Sequence, residues 1–216
     1  LAWDDVPDFA LDVARTLLQT VKDNDEHTFY HCCRVGRGSR RLAKALGMNE
    51  FEQIVLEFSG LFHDIGKSKI PHEILVKPTR LEKAEIEIMK THPMKSAEMI
   101  SHLEHIPFFR FLMAGIRLHH EKVDGTGYPF GLKGDAIPLP ARLIAVVDTY
   151  DAMTNHRPYR KPLSKEKAIQ ELLDFSSTQF DPEMVRIFLD LLPHQESEEK
   201  RAEKEELVIA SLLKAG

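Results

Sequence analysis

The chain is poor in cysteine, in positive charge and in long apolar runs. Its only cysteines, Cys32 and Cys33, are adjacent. Neighbours in sequence are poorly placed to pair with each other, so there is no disulfide framework. They read as packing residues of a reduced, cytoplasmic protein. No apolar stretch approaches the roughly 20 residues needed to cross a bilayer, and no signal-peptide pattern opens the chain. Lys and Arg number 29 against 34 Asp and Glu, a net charge of −5. That balance argues against a broad surface for polymeric nucleic acid, while a local cationic site could still hold a small anion. The first residue is Leu1 rather than Met, which leaves room for an upstream sensor or receiver domain.

What is present is enough for one core and an unusual set of histidines. Of 216 residues 43% are hydrophobic, sufficient for one substantial domain with helical extensions. Phe51, Ile54, Val55, Phe58, Leu61 and Phe62 recur at helical spacing, and Gly66 after them fits a helix stop. Helices are expected over 28–46, 82–90, 93–103, 108–120 and 139–155. Two more, over 164–175 and 181–192, open on Ser164 and on Asp181-Pro182. Residues 1–22 and the tail from Glu196 also read as helical, with docking and dimerisation both open for them. Residues 121–138, rich in Gly and Pro, form a long structured loop. Strand alternation and internal repeats are lacking, so the fold class is all-α.

The eleven histidines matter for their neighbours. His63-Asp64 pairs an imidazole with a carboxylate, a set suited to divalent transition metals. A bridging carboxylate can hold two ions about 3.5–4 Å apart, the arrangement that activates water for phosphoryl hydrolysis. His119 and His120 diverge by about 100° on a regular helix, so both reach one ion only at a helix end. Asp148 sits in an apolar run, where a carboxylate is costly unless paired or metal-bound. Asp148 and Asp151 are therefore read either as partners of Arg142 or Arg157, or as site residues. Lys67 follows His63 by four residues, close enough to project toward the same place. His31 has His27 one turn before it, and His92 precedes Pro93 at a helix start. Singly, each of these has an ordinary reading as a surface or packing residue.

Their order carries more. His31 is followed by His63-Asp64-Ile-Gly-Lys67, then Ile70-Pro71, Lys77-Pro78 and His92-Pro93. Next come His119-His120-Glu121, Asp124-Gly-Thr-Gly-Tyr128-Pro129, Asp148-Thr-Tyr-Asp151, and Arg157-Pro-Tyr-Arg160. Over residues 27–190 this resembles the HD-GYP family, a branch of the HD metal-dependent phosphohydrolases. The resemblance implies a single HD-type helical domain over 25–192, with an N-terminal helix over 1–24 and a C-terminal helical tail over 193–216. It implies two divalent ions, iron or manganese. His31, His63, Asp64 and Asp148 would hold one, and Asp64 would bridge to a second held by His92, His119 and His120. Some relatives place Glu for a third metal where this chain has His27, which is left as a substitute ligand or as a supporting histidine.

The resemblance further implies hydrolysis of cyclic di-GMP to pGpG, and in some members to GMP, through a metal-activated bridging hydroxide. Asp64 and Lys67 would act at the reacting phosphate. Lys67, Tyr128, Asp151, Arg157 and Arg160 would meet the substrate, the arginines as phosphate clamps. A cyclase-type protein partner and a homodimer are compatible with the terminal helices. Two other functions remain beside the phosphodiesterase. One is a metal-containing module that binds cyclic dinucleotides without turnover, and the other is a phosphohydrolase of a different nucleotide.

Overall fold

In this computed structural model the described residues are 6–155 and 161–202, with side chains described as far as 192. Ten α-helices lie within them, and the sole β feature there is an isolated bridge between Ser176 and Phe180. Helix α1 (Ala10–Asn24) and α2 (Glu26–Ala45) are separated by Asp25 alone. Asp25 is extended, and its carboxylate accepts the N–H groups of His27 and Thr28. One residue thus stops α1 and caps α2. Helix α3 (Glu50–Phe62) opens on a capping box: Asn49 and Glu52 each accept the other's backbone N–H at 2.9–3.0 Å.

After α3 come a short 3₁₀ turn (Ile65–Lys69), α4 (His72–Leu75), α5 (Lys83–Met89), α6 (His92–Ile100) and α7 (Pro107–Leu118). Proline stands in the first turn of both α6 and α7, where its missing N–H costs nothing. Helices α8 (Leu139–Thr154), α9 (Lys165–Asp174) and α10 (Pro182–Ala202) follow. Ser164 caps α9, and Asp181 accepts Glu183 N–H to cap α10. The backbone of α10 runs unbroken through position 193, so the expected tail begins within a helix.

Two apolar clusters meet along α2 and α3. One gathers Phe29, Phe58, Phe62, Phe108 and Phe109 with Ala10, Ala14, Leu18 and Val21 of α1. The α1 residues repeat every three or four positions, so the N-terminal helix docks into the domain core. The other cluster joins Val35, Leu42 and Leu56 to Leu143, Ile144 and Val146 of α8 and to Val185 and Phe188 of α10. Helices α2 and α3 cross closely: a Cβ on Gly60 would lie 2.9 Å from Gly36 Cα.

The loop expected over 121–138 is ordered by one carboxylate. Glu121, 3% exposed, accepts the N–H groups of Phe130 (2.7 Å) and Leu132 (2.9 Å). The chain crosses itself at Gly127, where a Cβ would fall 2.4 Å from Lys122 N. Tyr128 N–H then donates to the His120 carbonyl, which fixes Tyr128 over the histidine pair.

Candidate metal centre

Five helices bring their polar residues to one buried point. Helix α2 contributes His31, the end of α3 gives way to His63-Asp64, and α6 begins on His92. Helix α7 ends at Leu118, leaving His119 and His120 in the turn beyond it. That ending supplies the condition under which adjacent histidines converge. Helix α8 contributes Asp148 from its buried middle.

Local packing sets each position. Gly66 lies inside the 3₁₀ turn rather than at a helix stop, and its role is close approach. A Cβ there would meet Ser96 N at 2.3 Å and the His92 carbonyl at 2.4 Å. Ser96 Oγ completes the seam, accepting Gly66 N–H and donating to the His63 carbonyl, both at 2.8 Å. The turn carrying Asp64 is thus locked to the helix start carrying His92.

Hydrogen bonds also decide which nitrogen each ring presents. Nδ1 of His63, His92 and His119 lies 2.7–2.9 Å from the carbonyls of Gly60, Met89 and Ile116. A carbonyl only accepts, so each Nδ1 carries the proton and each Nε2 of the neutral ring is a bare lone pair. His31 Nδ1 meets Asp151 Oδ2 at 2.7 Å, which holds a proton on Nδ1 and leaves Nε2 as the atom that a metal ion would take after displacing its proton. Two of these lone pairs point at each other, His92 Nε2 lying 3.4 Å from His119 Nε2, and His120 Nε2 lies 3.2 Å from His92 Nε2. Two acceptors cannot hydrogen-bond, so this arrangement calls for a cation between them.

The remaining atoms repeat the pattern. His31 Nε2, His63 Nε2 and Asp64 Oδ1 are buried without a hydrogen bond. Yet His31 Nε2 is 3.0 Å from Asp148 Oδ1, and His92 Nε2 is 3.0 Å from Asp64 Oδ1. The groups are close but not aligned on each other. Three sets have ligand atoms within 4.8 Å of one another: His92, His119 and His120; His31, His63 and Asp64; and His63, His119 and Asp148. The donor set and its orphaned buried atoms fit divalent ions, and the third set draws on both of the expected groups. Among the described residues, none of these sets includes His27, which is exposed on α2 at the rim of the adjoining cavity.

The electrostatics are polarised across the centre. Burial pushes His31 down, but Asp148, Asp151 and Asp64 override it and hold the imidazole up at about 10. His63 is likewise raised against burial by Asp64 and Asp148. At the other end burial, reinforced by the neighbouring imidazoles, depresses His119 well below its usual range and takes His120 to about 3. Burial opposes ionisation of Asp64, but Lys67, His63 and His92 hold the carboxyl well below the ordinary range. The carboxylate end therefore attracts positive charge, and His119 and His120 at the other end are neutral donors.

The other expected residues fall around this core. Lys67 Nζ binds Asp64 Oδ2. Tyr128 stacks on His120, with centroids 4.7 Å apart and planes 24° apart. Asp151 lines the cavity, and its oxygens are taken up by His31, by Arg34 (2.6 and 3.0 Å) and by Asn155 (3.0 Å). Neither carboxylate of α8 pairs with Arg142, which bridges instead to Asp181. Asp148 faces His31 and His63. Arg157 and Arg160 lie outside the described residues. Arg34, Ser96 and Glu121 received no role from the sequence. Arg34 carried a usable signal, standing three residues after His31 on the same helix face, whereas Ser96 carried none.

Residues 15–184 match the family model described as the HD domain. The chain belongs to the HD domain family. Its intact Gly127-Tyr128-Pro129 places it in the HD-GYP branch. A curated cyclic di-GMP phosphodiesterase of Thermotoga maritima is 40% identical over 185 residues, 85% of this chain and 50% of that protein. A 3'3'-cGAMP-specific phosphodiesterase of Vibrio cholerae is 38% identical over 71% of this chain and 35% of its own length. The HD domain chain thus spans about half or less of the curated relatives it matches. An HDG"Y"P protein of Bdellovibrio bacteriovorus shares the fold at a TM-score of 0.64 and 20% identity, over 86% of this chain and 63% of that one.

Proposed function

We propose that this HD domain is a metal-dependent phosphodiesterase that opens cyclic di-GMP to pGpG, with iron or manganese as its ions. The observation that carries the reading is the convergence of imidazole Nε2 atoms, those of His92 and His119 being facing lone pairs, beside the buried carboxylates Asp64 and Asp148. Bound divalent ions would lower the pKa of coordinated water and polarise phosphoryl oxygens. His31, His63, Asp64 and Asp148 would hold one ion, and Asp64, His92, His119 and His120 the other.

The chain's own groups then divide the work. Asp151 and the three carbonyls keep the imidazoles presenting Nε2, so the site needs little rearrangement to bind. Lys67, beside Asp64, adds positive charge for the scissile phosphate. Tyr128 covers His120 and limits the access of bulk water from that side. The cavity leading to the centre holds about 540 Å3, within the range of small-molecule sites. Arg157 and Arg160 are assigned to phosphate oxygens on the strength of their motif.

A relative specific for 3'3'-cGAMP favours a hybrid cyclic dinucleotide as the second substrate reading, and competition between the two nucleotides separates them. The site itself is tested by His63→Ala and Asp64→Ala. Each is expected to lose bound metal, measured by elemental analysis, together with more than about 100-fold of cyclic di-GMP turnover. Unchanged turnover in both variants would contradict the assignment.

A further inference from the structure

The cavity has a second wall, made by residues outside the metal centre, which the hydrolytic reading does not use. It is formed by the segment from Ile74 through α5. Leu81, Ile86 and Met89 line it, as does Arg80. Helix α5 buries no residue at all, and Ile86 is 39% exposed. These apolar side chains therefore face the cavity without serving the core.

The cations around the cavity differ in one respect. Lys67 is bound to Asp64, Lys77 to Glu85, and Arg34 to Asp151. Arg80 is exposed at the cavity edge with no hydrogen bond or ion pair among the described residues. An apolar shelf next to an unengaged guanidinium suits a flat heterocycle with two adjacent acceptors on its edge. A bare phosphate would gain nothing from the shelf. Guanine presents O6 and N7, which a guanidinium fork can meet with two hydrogen bonds, whereas adenine opposes the fork with its N6 amino group.

We infer that Arg80 is a specificity residue that reads the purine of the nucleotide half not being cut, and that it selects guanine over adenine. The inference rests on the cyclic dinucleotide reading above. In such a complex the scissile phosphate sits at the metals with Lys67, and the distal base lies on Leu81, Ile86 and Met89 under the Arg80 fork. A site built to hydrogen-bond one edge discriminates strongly against a base that cannot satisfy it. Because Arg80 is exposed, its effect is smaller than that of a buried reader and lies near the lower end of what one bidentate base contact supplies.

The test compares wild type, Arg80→Ala and Arg80→Lys as metal-loaded proteins. The substrates are cyclic di-GMP, cyclic di-AMP and bis(p-nitrophenyl) phosphate, a small diester that reaches the metals but not the second wall. Arg80→Ala is expected to raise KM for cyclic di-GMP roughly tenfold with little change in kcat. Its turnover of cyclic di-AMP and of the small diester should stay at the wild-type level. Arg80→Lys should resemble Arg80→Ala, because an ammonium keeps the charge but not the fork. Full rescue by lysine would mean that charge alone is read, and would overturn the guanine assignment. An unchanged KM in Arg80→Ala, with wild type cutting cyclic di-GMP, would overturn this inference alone. Cleavage of the small diester by a wild type that leaves cyclic di-GMP intact would overturn the substrate reading and the inference together.

Discussion

Four imidazoles at this centre turn the same nitrogen inward because the other nitrogen is already committed. For His63, His92 and His119 the commitment is to a carbonyl three residues earlier, a bond built into the local backbone. For His31 it depends on a distant side chain, Asp151, which Arg34 and Asn155 hold in place. His31 is therefore the imidazole whose orientation depends most on a single side chain elsewhere. Asp151→Ala is expected to lower the apparent manganese affinity about 10- to 100-fold, read by metal titration. Asp151→Asn, which can still offer an acceptor oxygen to Nδ1, should recover part of that loss. Wild-type affinity in the alanine variant would show that the Nδ1 bond does not position His31.

At the scale of elements, the seam between the 3₁₀ turn and α6 is the tightest fit near the site. The atoms a Cβ on Gly66 would strike, Ser96 N and the His92 carbonyl, are backbone and cannot swing aside as a side-chain end could. Gly66→Ala is expected to destabilise the protein by roughly 1–3 kcal/mol, seen in thermal unfolding, and to reduce metal content by displacing His92. A variant with unchanged midpoint and full metal content would contradict this account of the seam. Most helices were legible in the sequence, since periodic apolar residues and the openings at Ser164 and Asp181-Pro182 mark real helix starts. The boundary at 24/25 was expected as well, but not that Asp25 alone makes it, since only the cap geometry interrupts the helical residues on either side. Gly66 reads as a helix stop in one dimension, while its actual constraint comes from a helix thirty residues later.

At the scale of the whole molecule, the centre sits where the two apolar clusters meet. The side chains that converge there run from His31 to Asp148, across five helices. Sequence order and motif spacing were enough to nominate all of them. They could not show that the lone pairs face one another, which depends on how α2, α3, α6, α7 and α8 pack. Nor could they show α1 docked into the core, Glu121 ordering the Gly-rich loop, or Arg34 bracing Asp151. The central claim is that this convergence is a working hydrolytic centre. The direct measurement is to incubate anaerobically purified protein, reconstituted separately with iron(II) and with manganese, with cyclic di-GMP, and to follow the products by chromatography. The account predicts pGpG or GMP, abolished by a chelator and restored by the metal. Intact cyclic di-GMP after long incubation, with both ions confirmed bound, would contradict it.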